Sequence, residues 1–358
     1  MLAKGREILS SARLVKRATG KSLAHQAAEI LRLRLGRTRL GPGDYYALDL
    51  FEDSLSFQDK SRFVGWRASA EIDARLNANW SRILANDKIV NYQLLGALGF
   101  PIPRTVATYS PAGRYIGPEI RLESLDAVRS FLADAAFPLF AKPVAGTYGR
   151  GVAHIVGYDG PRRVLELAHG RRLPEEQFFA QLDFAPFNGY LFQDIVRPHR
   201  SIVDLAGPTV SCIRVGVLTE PRPDVHFAFW KIATNDNVTD NFSRGKTGNL
   251  LGAIELSTGK IIDVLAAAGP GRKRVSVHPS TGRTLVGFQI PMWNRLIETS
   301  MAVARHFPGL RLQNWDVVVT DDGPLLMELN TEADLFLVNL LSRVGMLNGH
   351  LAEMMAQK

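Results

Sequence analysis

One segment near the carboxyl end of the chain constrains its fold more than any other. Residues 315–330 read WDVVVTDDGPLLMELN, with apolar runs on both sides of the Asp-Asp-Gly at 321–323. Asp and Gly favour turns, and glycine accepts the left-handed conformation that a three-residue hairpin turn requires. The segment therefore predicts a buried β-hairpin in which Thr320 faces Pro324 across the turn.

The same register places two acidic side chains opposite one another, Asp316 and Glu328, with Asn330 on the same face. Two opposed carboxylates repel each other unless a cation compensates them. Oxygen ligands without histidine or cysteine suit Mg²⁺, which takes its remaining ligands from water and phosphate. The alternative is a solvated ribbon on which an arginine pairs with each carboxylate. We favour the metal, with Asp316, Glu328 and Asn330 as its ligands.

A glycine-rich segment, AKPVAGTYGRGVAHI at residues 141–155, follows a predicted strand. Lys142 ends that strand, and Gly146, Gly149 and Gly151 follow it. Glycine lets a ligand approach the backbone N–H groups closely, and lysine adds a point charge, so the segment suits a phosphate. It is neither a P-loop nor a dinucleotide-binding fingerprint, and similar runs also form plain turns between strands. Taken alone, the segment leaves both interpretations open.

The rest of the chain mixes helical and strand patterns. Asn86 or Asp87 is expected to cap a helix that Gly99 closes, and Ser124 to cap a second helix over 124–135. After residue 200 most strand signals are antiparallel, so the whole predicts an α+β fold with more than one lobe. Strands are expected in the segment ending LFAK and in VAHIV, YLFQDIV, TVSCIRVGVLT, VHFAFWKIA, NLLGAIEL and KIIDVL, and further helices near 174–182 and 292–307.

Composition excludes several classes of protein. The single cysteine, Cys212, excludes a disulfide framework, and it predicts a reducing compartment such as the cytoplasm. No apolar run is long enough to suggest a membrane span. The histidines lack zinc-site spacing. Nucleic acid is not expected as a partner, because the basic charge is confined to one end of the chain.

That end is residues 1–40, which hold ten lysines and arginines but two acids and so carry the whole net charge of +8. Leu23, Ala27, Ile30 and Leu31 lie at helical spacing, which predicts an amphipathic helix in this basic arm. The arm either rests on an anionic membrane or a partner, or packs on the body as a solvated helix. The absence of large aromatic residues favours the packed helix.

The order of these elements resembles the ATP-grasp superfamily over roughly residues 86–340. Lys88 begins a helix, the second lysine and glycine loop follow, the strand LFQDIV comes next, and the acidic hairpin with E-x-N comes last. Local matches such as LGPGDYY, TVSCIRVGVL and IPMWN are most similar to the sugar-transfer-associated ATP-grasp group, which is related to α-L-glutamate ligase-like proteins. The resemblance implies an ATP-grasp fold, in which two α/β lobes clasp ATP behind a basic helical arm.

The resemblance also implies a domain layout. We expect the basic arm over 1–40, a region leading into the ATP-grasp over 41–103, a small subdomain over 104–197 and a large subdomain over 198–358. The small subdomain would carry the glycine-rich lid and the adenine hinge, and the large one the Mg²⁺-binding hairpin.

Roles for individual residues follow from the same resemblance. Cations on strands that lead into the site would neutralise a transferring phosphoryl group. The residues expected to bind ATP are Lys88, Lys142, Gly146, Gly149, Gly151, Gln193, Asp194, Ile195 and Val196. Those expected to act in catalysis are Arg214, Lys231 and Arg244, with a surface ion pair as the alternative for Arg214 and Lys231.

The implied activity is an ATP-dependent ligase that joins a small carboxylate to an amine or thiol through an acyl phosphate. It would use ATP with Mg²⁺, or Mn²⁺ as a substitute, in cell-surface or exopolysaccharide biosynthesis. The alternatives are phosphotransfer to a hydroxyl and a non-catalytic nucleotide-binding scaffold attached by the basic arm. Two departures affect the substrate class: Arg244-Gly245-Lys246 replaces a paired glycine, and Gln313 to Trp315 lack the arginine that many such ligases place before the metal-binding aspartate.

Overall fold

The computed structural model describes residues 2–146, 149–235, 237–267 and 273–357, without the side chains of residues 2–4 and 244. The helices are α1 Leu2–Thr19, α2 Leu23–Leu35, α3 Pro42–Ala47, α4 Phe57–Ser61, α5 Trp66–Leu76, α6 Ile83–Asn86, α7 Lys88–Ala97, α8 Leu125–Asp134, α9 Glu175–Leu182, α10 Arg200–Ala206, α11 Trp293–Ala304, α12 Leu335–Ser342 and α13 Gly349–Ala356. The strands are β1 Thr105–Tyr109, β2 Ile120–Leu122, β3 Leu139–Pro143, β4 Ala153–Asp159, β5 Val164–Leu167, β6 Arg172–Pro174, β7 Tyr190–Asp194, β8 Ile213–Leu218, β9 Asp224–Ile232, β10 Leu250–Glu255, β11 Lys260–Ala267, β12 Lys273–Arg274, β13 Leu312–Thr320 and β14 Gly323–Asn330.

The first sheet has the order β2-β1-β7-β3-β4-β5-β6, and α8 and α9 contribute to its core. Ser124 caps α8 as expected, because its hydroxyl accepts a hydrogen bond from the N–H of Ala127. Val128, Phe131 and Leu132 then lie one helical turn apart and are buried. β3, the strand that carries Lys142, lies in the middle of the sheet, between β7 and β4.

The second sheet has the order β12-β11-β10-β9-β8-β13-β14 and is covered on both faces. Its alternating residues divide between two cores. Trp315 and Val317 pack with α7 and α11, whereas Leu312 packs with the amino-terminal helices and α12. Strands that are covered on both faces consist almost entirely of apolar residues. This is the pattern of VVV in β13 and LLM in β14.

The hairpin β13–β14 differs from its prediction at the turn. Thr320 faces Gly323 instead of the next residue, so the turn has two residues and the predicted register is wrong there. The register then shifts by one residue just beyond Asp316, which restores the predicted pairing of Asp316 with Glu328. This bulge lies at Met327, whose carbonyl accepts a hydrogen bond from Tyr92 in α7.

The basic arm forms α1 and α2, and both helices pack on the body. Val15 and Leu33 are buried in the core that also contains residues of the second sheet. The predicted apolar stripe packs only in part: Ile30 lies against the core, whereas Leu23, Ala27 and Leu31 are exposed. Gln26 takes the inward position instead, because its amide hydrogen-bonds to α1 and to Tyr46. Among the described helices, none has the length and apolar character that a bilayer span needs.

Candidate functional site

A cavity of about 660 Å³ lies between the two sheets. It is lined by the end of β3, the start of α7, the segment after β7, and parts of β9, β13 and β14. The predicted residues that line it are Lys88, Lys142, Gly146, Gly149, Gln193, Asp194, Ile195, Val196, Lys231, Asp316 and Glu328. Residues far apart in sequence thus meet at one concave surface of the size that a nucleotide needs.

Lys142 reaches the cavity from a buried position. Its ammonium donates a hydrogen bond to the Tyr92 hydroxyl at 2.7 Å and lies 4.9 Å from the centre of that ring. The same hydroxyl donates to the Met327 carbonyl at 2.6 Å. Burial lowers the pKa of Lys142 to about 8, and the negative charge of Glu328 offsets only part of that effect. Tyr92 therefore fixes the lysine and joins it to the acidic hairpin.

Lys88 contacts both the acidic hairpin and the glycine loop. It is the first residue of α7, whose amino terminus Asp87 caps by accepting hydrogen bonds from two backbone N–H groups. The Lys88 ammonium lies 2.9 Å from a carboxylate oxygen of Glu328 and donates to the carbonyl of Gly146 at 3.3 Å. The lysine thus bridges the acidic hairpin and the glycine loop.

Asp316 is held by two cations. Arg214, its neighbour across the sheet, donates to both carboxylate oxygens at 2.9 and 2.8 Å, and Lys231 reaches one of them at 3.0 Å. Asn330 approaches the same oxygen through its amide nitrogen at 3.3 Å. Burial alone would raise the pKa of Asp316, but the two cations outweigh burial and hold it well below its usual range. The ion pair that was the alternative for Arg214 and Lys231 is therefore present, but it is buried instead of lying on the surface.

These contacts change the argument for a metal, because Lys88, Arg214 and Lys231 already compensate the two carboxylates. The oxygen-only chemistry still fits Mg²⁺. Glu328 has a side chain 32% exposed at the cavity, and the buried Oδ1 of Asn314 lacks a hydrogen-bond partner among the described residues. Across the described part of the chain, no cluster of three Asp, Glu, His or Cys side chains forms a metal cage. A divalent ion here would thus take several ligands from elsewhere.

The glycine loop approaches both lobes. Gly149 and Gly151 have positive φ angles of 67° and 74°, which a side chain would strain. A Cβ on Gly149 would lie 2.7 Å from the Asn241 amide, and one on Gly151 would lie 2.6 Å from the Tyr190 hydroxyl. Gly149 therefore lines the cavity, whereas Gly151 packs behind it. Thr147 and Tyr148, which precede Gly149, lie outside the described residues.

The segment from Gln193 to Val196 lines the cavity at the end of β7, where an adenine hinge was predicted. Asp194 is already engaged, because Arg104 donates to its carboxylate at 2.8 Å and the backbone N–H of Asp194 donates to the Arg104 carbonyl. The carboxylate of Asp194 is thus directed to an arginine, which leaves the neighbouring backbone as the better candidate for contacts to a base.

Comparison with known proteins now adds to this geometry. The family model for sugar-transfer associated ATP-grasp proteins matches residues 67–352, most of the chain. The chain belongs to this family. No curated protein matches the sequence. The α+β prediction and the ATP-grasp fold are confirmed, and the family is the group that the sequence resembled.

Solved structures with a similar fold include several ATP-grasp enzymes. The VanG D-Ala:D-Ser ligase from Enterococcus faecalis has 13% identity and a TM-score of 0.38, with 71% of this chain and 55% of that chain covered. Biotin carboxylase from Campylobacter jejuni has 13% identity and a TM-score of 0.43, with 81% and 49% covered. The matches thus span about half the length of these two proteins, and at these values they carry no functional information.

In this ATP-grasp chain, three predicted residues do not line the cavity. Arg214 lies behind Asp316, Asn330 contacts that carboxylate from the next strand, and Gly151 packs against Tyr190. A fourth, Arg244, belongs to a short turn at Ser243–Gly245, and its side chain lies outside the described part of the structure.

Sequence reasoning also missed two residues of the site. Tyr92 follows Lys88 by one helical turn, so the shared helix face was a usable signal. Asp240 lies 3.3 Å from the Lys231 ammonium and accepts from the backbone N–H of Cys212. The Asp-Asn pair at 240–241 also resembles the family, but the sequence assigned Asp240 no contact, because its pairing with Lys231 and Cys212 depends on how the chain folds around β9.

Proposed function

We propose that this ATP-grasp protein is a ligase that uses ATP to join a carboxylate to an amine or a thiol. The observation that carries the proposal is the convergence of Lys88, Lys142, Lys231 and Glu328 on one cavity beside the glycine loop. A cavity lined by several ammonium groups suits phosphoryl transfer, which depends on positioning and on charge neutralisation.

In the first step, a carboxylate oxygen of the substrate attacks the γ-phosphorus of ATP. A new O–P bond forms, the bond to the β–γ bridging oxygen breaks, and ADP leaves with that electron pair. Lys88 and Lys142 bind phosphate oxygens and offset the charge of the transferring group, while Arg214 keeps Asp316 in place behind Lys231. The carboxylate is already ionised at neutral pH, so this step requires no general base.

In the second step, the amine nitrogen attacks the acyl carbon, the C–O bond to phosphate breaks, and inorganic phosphate leaves. The proton that the amine loses passes to phosphate or solvent. Mg²⁺, when held by Glu328 and Asn330 with Asp316 as the third predicted ligand, would neutralise charge on the phosphates. The backbone of Gln193 to Val196 is the proposed contact for the adenine.

The family's association with sugar transfer supports an acceptor from cell-surface or exopolysaccharide biosynthesis. The single cysteine, which is buried and free, supports a reducing compartment such as the cytoplasm.

Trapping of the intermediate tests the activity. With candidate carboxylates and ATP, we expect ADP release and, with hydroxylamine present, an acyl hydroxamate. Lys142→Ala and Glu328→Gln should each lower turnover by roughly 100-fold or more, since the first removes a cation beside the reacting phosphates and the second removes a ligand of the proposed Mg²⁺. Lys260→Ala and Glu176→Gln change exposed residues outside the cavity and serve as matched controls that keep wild-type rates.

Each alternative gives a different result in the same assay. A stable phosphorylated product that forms without any amine would show a phosphotransferase. ATP binding without turnover, even with a cell extract as the source of substrates, would show a scaffold. Wild-type rates in both site variants would refute the proposed site.

A further inference from the structure

A stripe of apolar side chains runs along the exposed side of α2. Leu31 and Leu35 have 58% and 80% of their surface exposed, and Ala24, Ala27 and Ala28 are exposed with them. Positions 24, 27, 28, 31 and 35 follow helical spacing, so these side chains share one face. A continuous apolar stripe on the solvent side of a helix is a feature of interaction surfaces.

The inward side of α2 already supplies its packing. Leu33 is buried in the core, and Gln26 donates to the carbonyl of Ala12 and accepts from the Tyr46 hydroxyl. Glu29 accepts from both Lys21 and Lys60. The outward leucines are therefore not needed to hold α2 on the body of the protein.

Exposed basic side chains lie on both helices of the arm. Arg32 and Arg34 flank the stripe on α2, and Arg6, Arg13 and Arg17 run along the outer face of α1 at positions i, i+7 and i+11. These three arginines line a shallow groove together with two exposed leucines of α1, Leu9 and Leu14, and none forms an ion pair with a described residue. The two helices thus combine exposed apolar groups with uncompensated positive charge.

We propose that the outer faces of α1 and α2, here called the basic helix pair, dock on the surface of an anionic lipid bilayer. The leucine stripe enters the boundary between headgroups and acyl chains, and the arginines bind lipid phosphates. Phe57, whose ring lies 4.0 Å from the Arg32 guanidinium, extends the apolar area at one edge. The helices lie on the membrane instead of crossing it.

Charge and apolarity together select this occupant. A nucleic acid would match the arginines but would leave the leucine stripe in water. A second copy of the same face would cover the leucines but would bring together two surfaces that each carry Arg6, Arg13, Arg17, Arg32 and Arg34. An anionic bilayer complements both features. This inference goes beyond the proposed ligase activity and does not depend on it.

Vesicle co-sedimentation of the full chain tests the proposal. We expect binding to phosphatidylcholine vesicles that contain phosphatidylglycerol, weaker binding as salt rises, and no binding to phosphatidylcholine alone. The double variant Leu31→Gln/Leu35→Gln should lower the partition coefficient at least roughly tenfold. The triple variant Arg6→Gln/Arg13→Gln/Arg17→Gln should lower it on the order of 100-fold.

A matched control is Ile120→Gln, which changes an equally exposed apolar residue on β2 of the other sheet and should bind like the wild type. Circular dichroism and melting temperatures confirm that each variant is folded. The proposal is overturned if the anionic vesicles do not bind, or if the leucine variant binds as well as the wild type. A dimer in sedimentation that the leucine variant dissociates, without vesicle binding, would assign the stripe to a second copy instead.

Discussion

Lys142 is the side chain whose charge depends most directly on the fold. Its ammonium is buried, its hydrogen-bond partner is a neutral hydroxyl, and the nearest carboxylate, Glu328, is paired with Lys88. Burial therefore lowers the pKa of Lys142 to about 8. A phosphate placed beside it would favour the protonated form, so proton binding and phosphate binding support each other.

This linkage predicts a pH dependence of nucleotide affinity. Below pH 8 the lysine of the free protein is protonated, and as the pH rises through 8 it loses the charge that attracts phosphate. The affinity for ATP should therefore fall between pH 7 and pH 9, by up to roughly tenfold for each pH unit above 8. Titration calorimetry over this range measures it. Lys142→Arg keeps its charge and should give a flatter profile; equal slopes in the two proteins would contradict the assignment.

Among the secondary-structure elements, the hairpin β13–β14 carries most of the electrostatics of the site. Its neighbour β8 supplies Arg214 and the next strand, β9, supplies Lys231, so three adjacent strands place opposite charges side by side. Because two buried cations share the Asp316 carboxylate, that carboxylate has a structural role. Glu328, at the edge of the sheet, is partly exposed and pairs with Lys88.

The two acids of the hairpin should thus differ in their effect on stability. Asp316→Asn removes the carboxylate that the buried Arg214 and Lys231 share, and should lower the free energy of unfolding by about 3–5 kcal/mol. Glu328→Gln breaks a partly exposed pair and should cost at most about 1 kcal/mol. Urea unfolding of both variants measures the difference, and equal stabilities would refute the structural role of Asp316.

The sequence predicted helices and strands well where local signals decide them. Asp87 and Ser124 cap α7 and α8 as expected, since a cap needs only residues within one turn of itself. The hairpin register near its turn was predicted wrongly, because the bulge at Met327 is fixed by Tyr92 from a distant helix. The same holds for the site: residue types identified Asp316, but its partners depend on the order of strands in the sheet.

In the whole molecule, the basic arm is part of the fold. Buried residues of α1 and α2 lie in the same hydrophobic core as side chains from the second sheet and from α12. Burial alone would raise the pKa of Glu29, but hydrogen bonds from Lys60, Tyr45 and Lys21 outweigh it and hold the pKa at about 2. The arm thus combines an inner face that stabilises the protein with an outer face that does not.

Two leucines of α2 separate these faces. Leu33→Ala removes a buried side chain and should lower the free energy of unfolding by about 2–5 kcal/mol. Leu35→Ala, two residues later on the outer face, should change it by no more than about 0.5 kcal/mol. Both substitutions replace leucine by the same residue in the same helix. Similar effects of the two on chemical denaturation would mean that α2 does not pack as described.

The bridge that Lys88 makes between Glu328 and the carbonyl of Gly146 has one more consequence. In the terms of ion exchange, the site holds its own counterion before any ligand arrives. A small monoanion that pairs with Lys88 breaks the Lys88–Glu328 ion pair and leaves Glu328 without a partner, so its net binding free energy is small. A polyanion that arrives with a divalent cation offers a partner to each end, so the exchange favours that complex over simple anions such as inorganic phosphate or chloride.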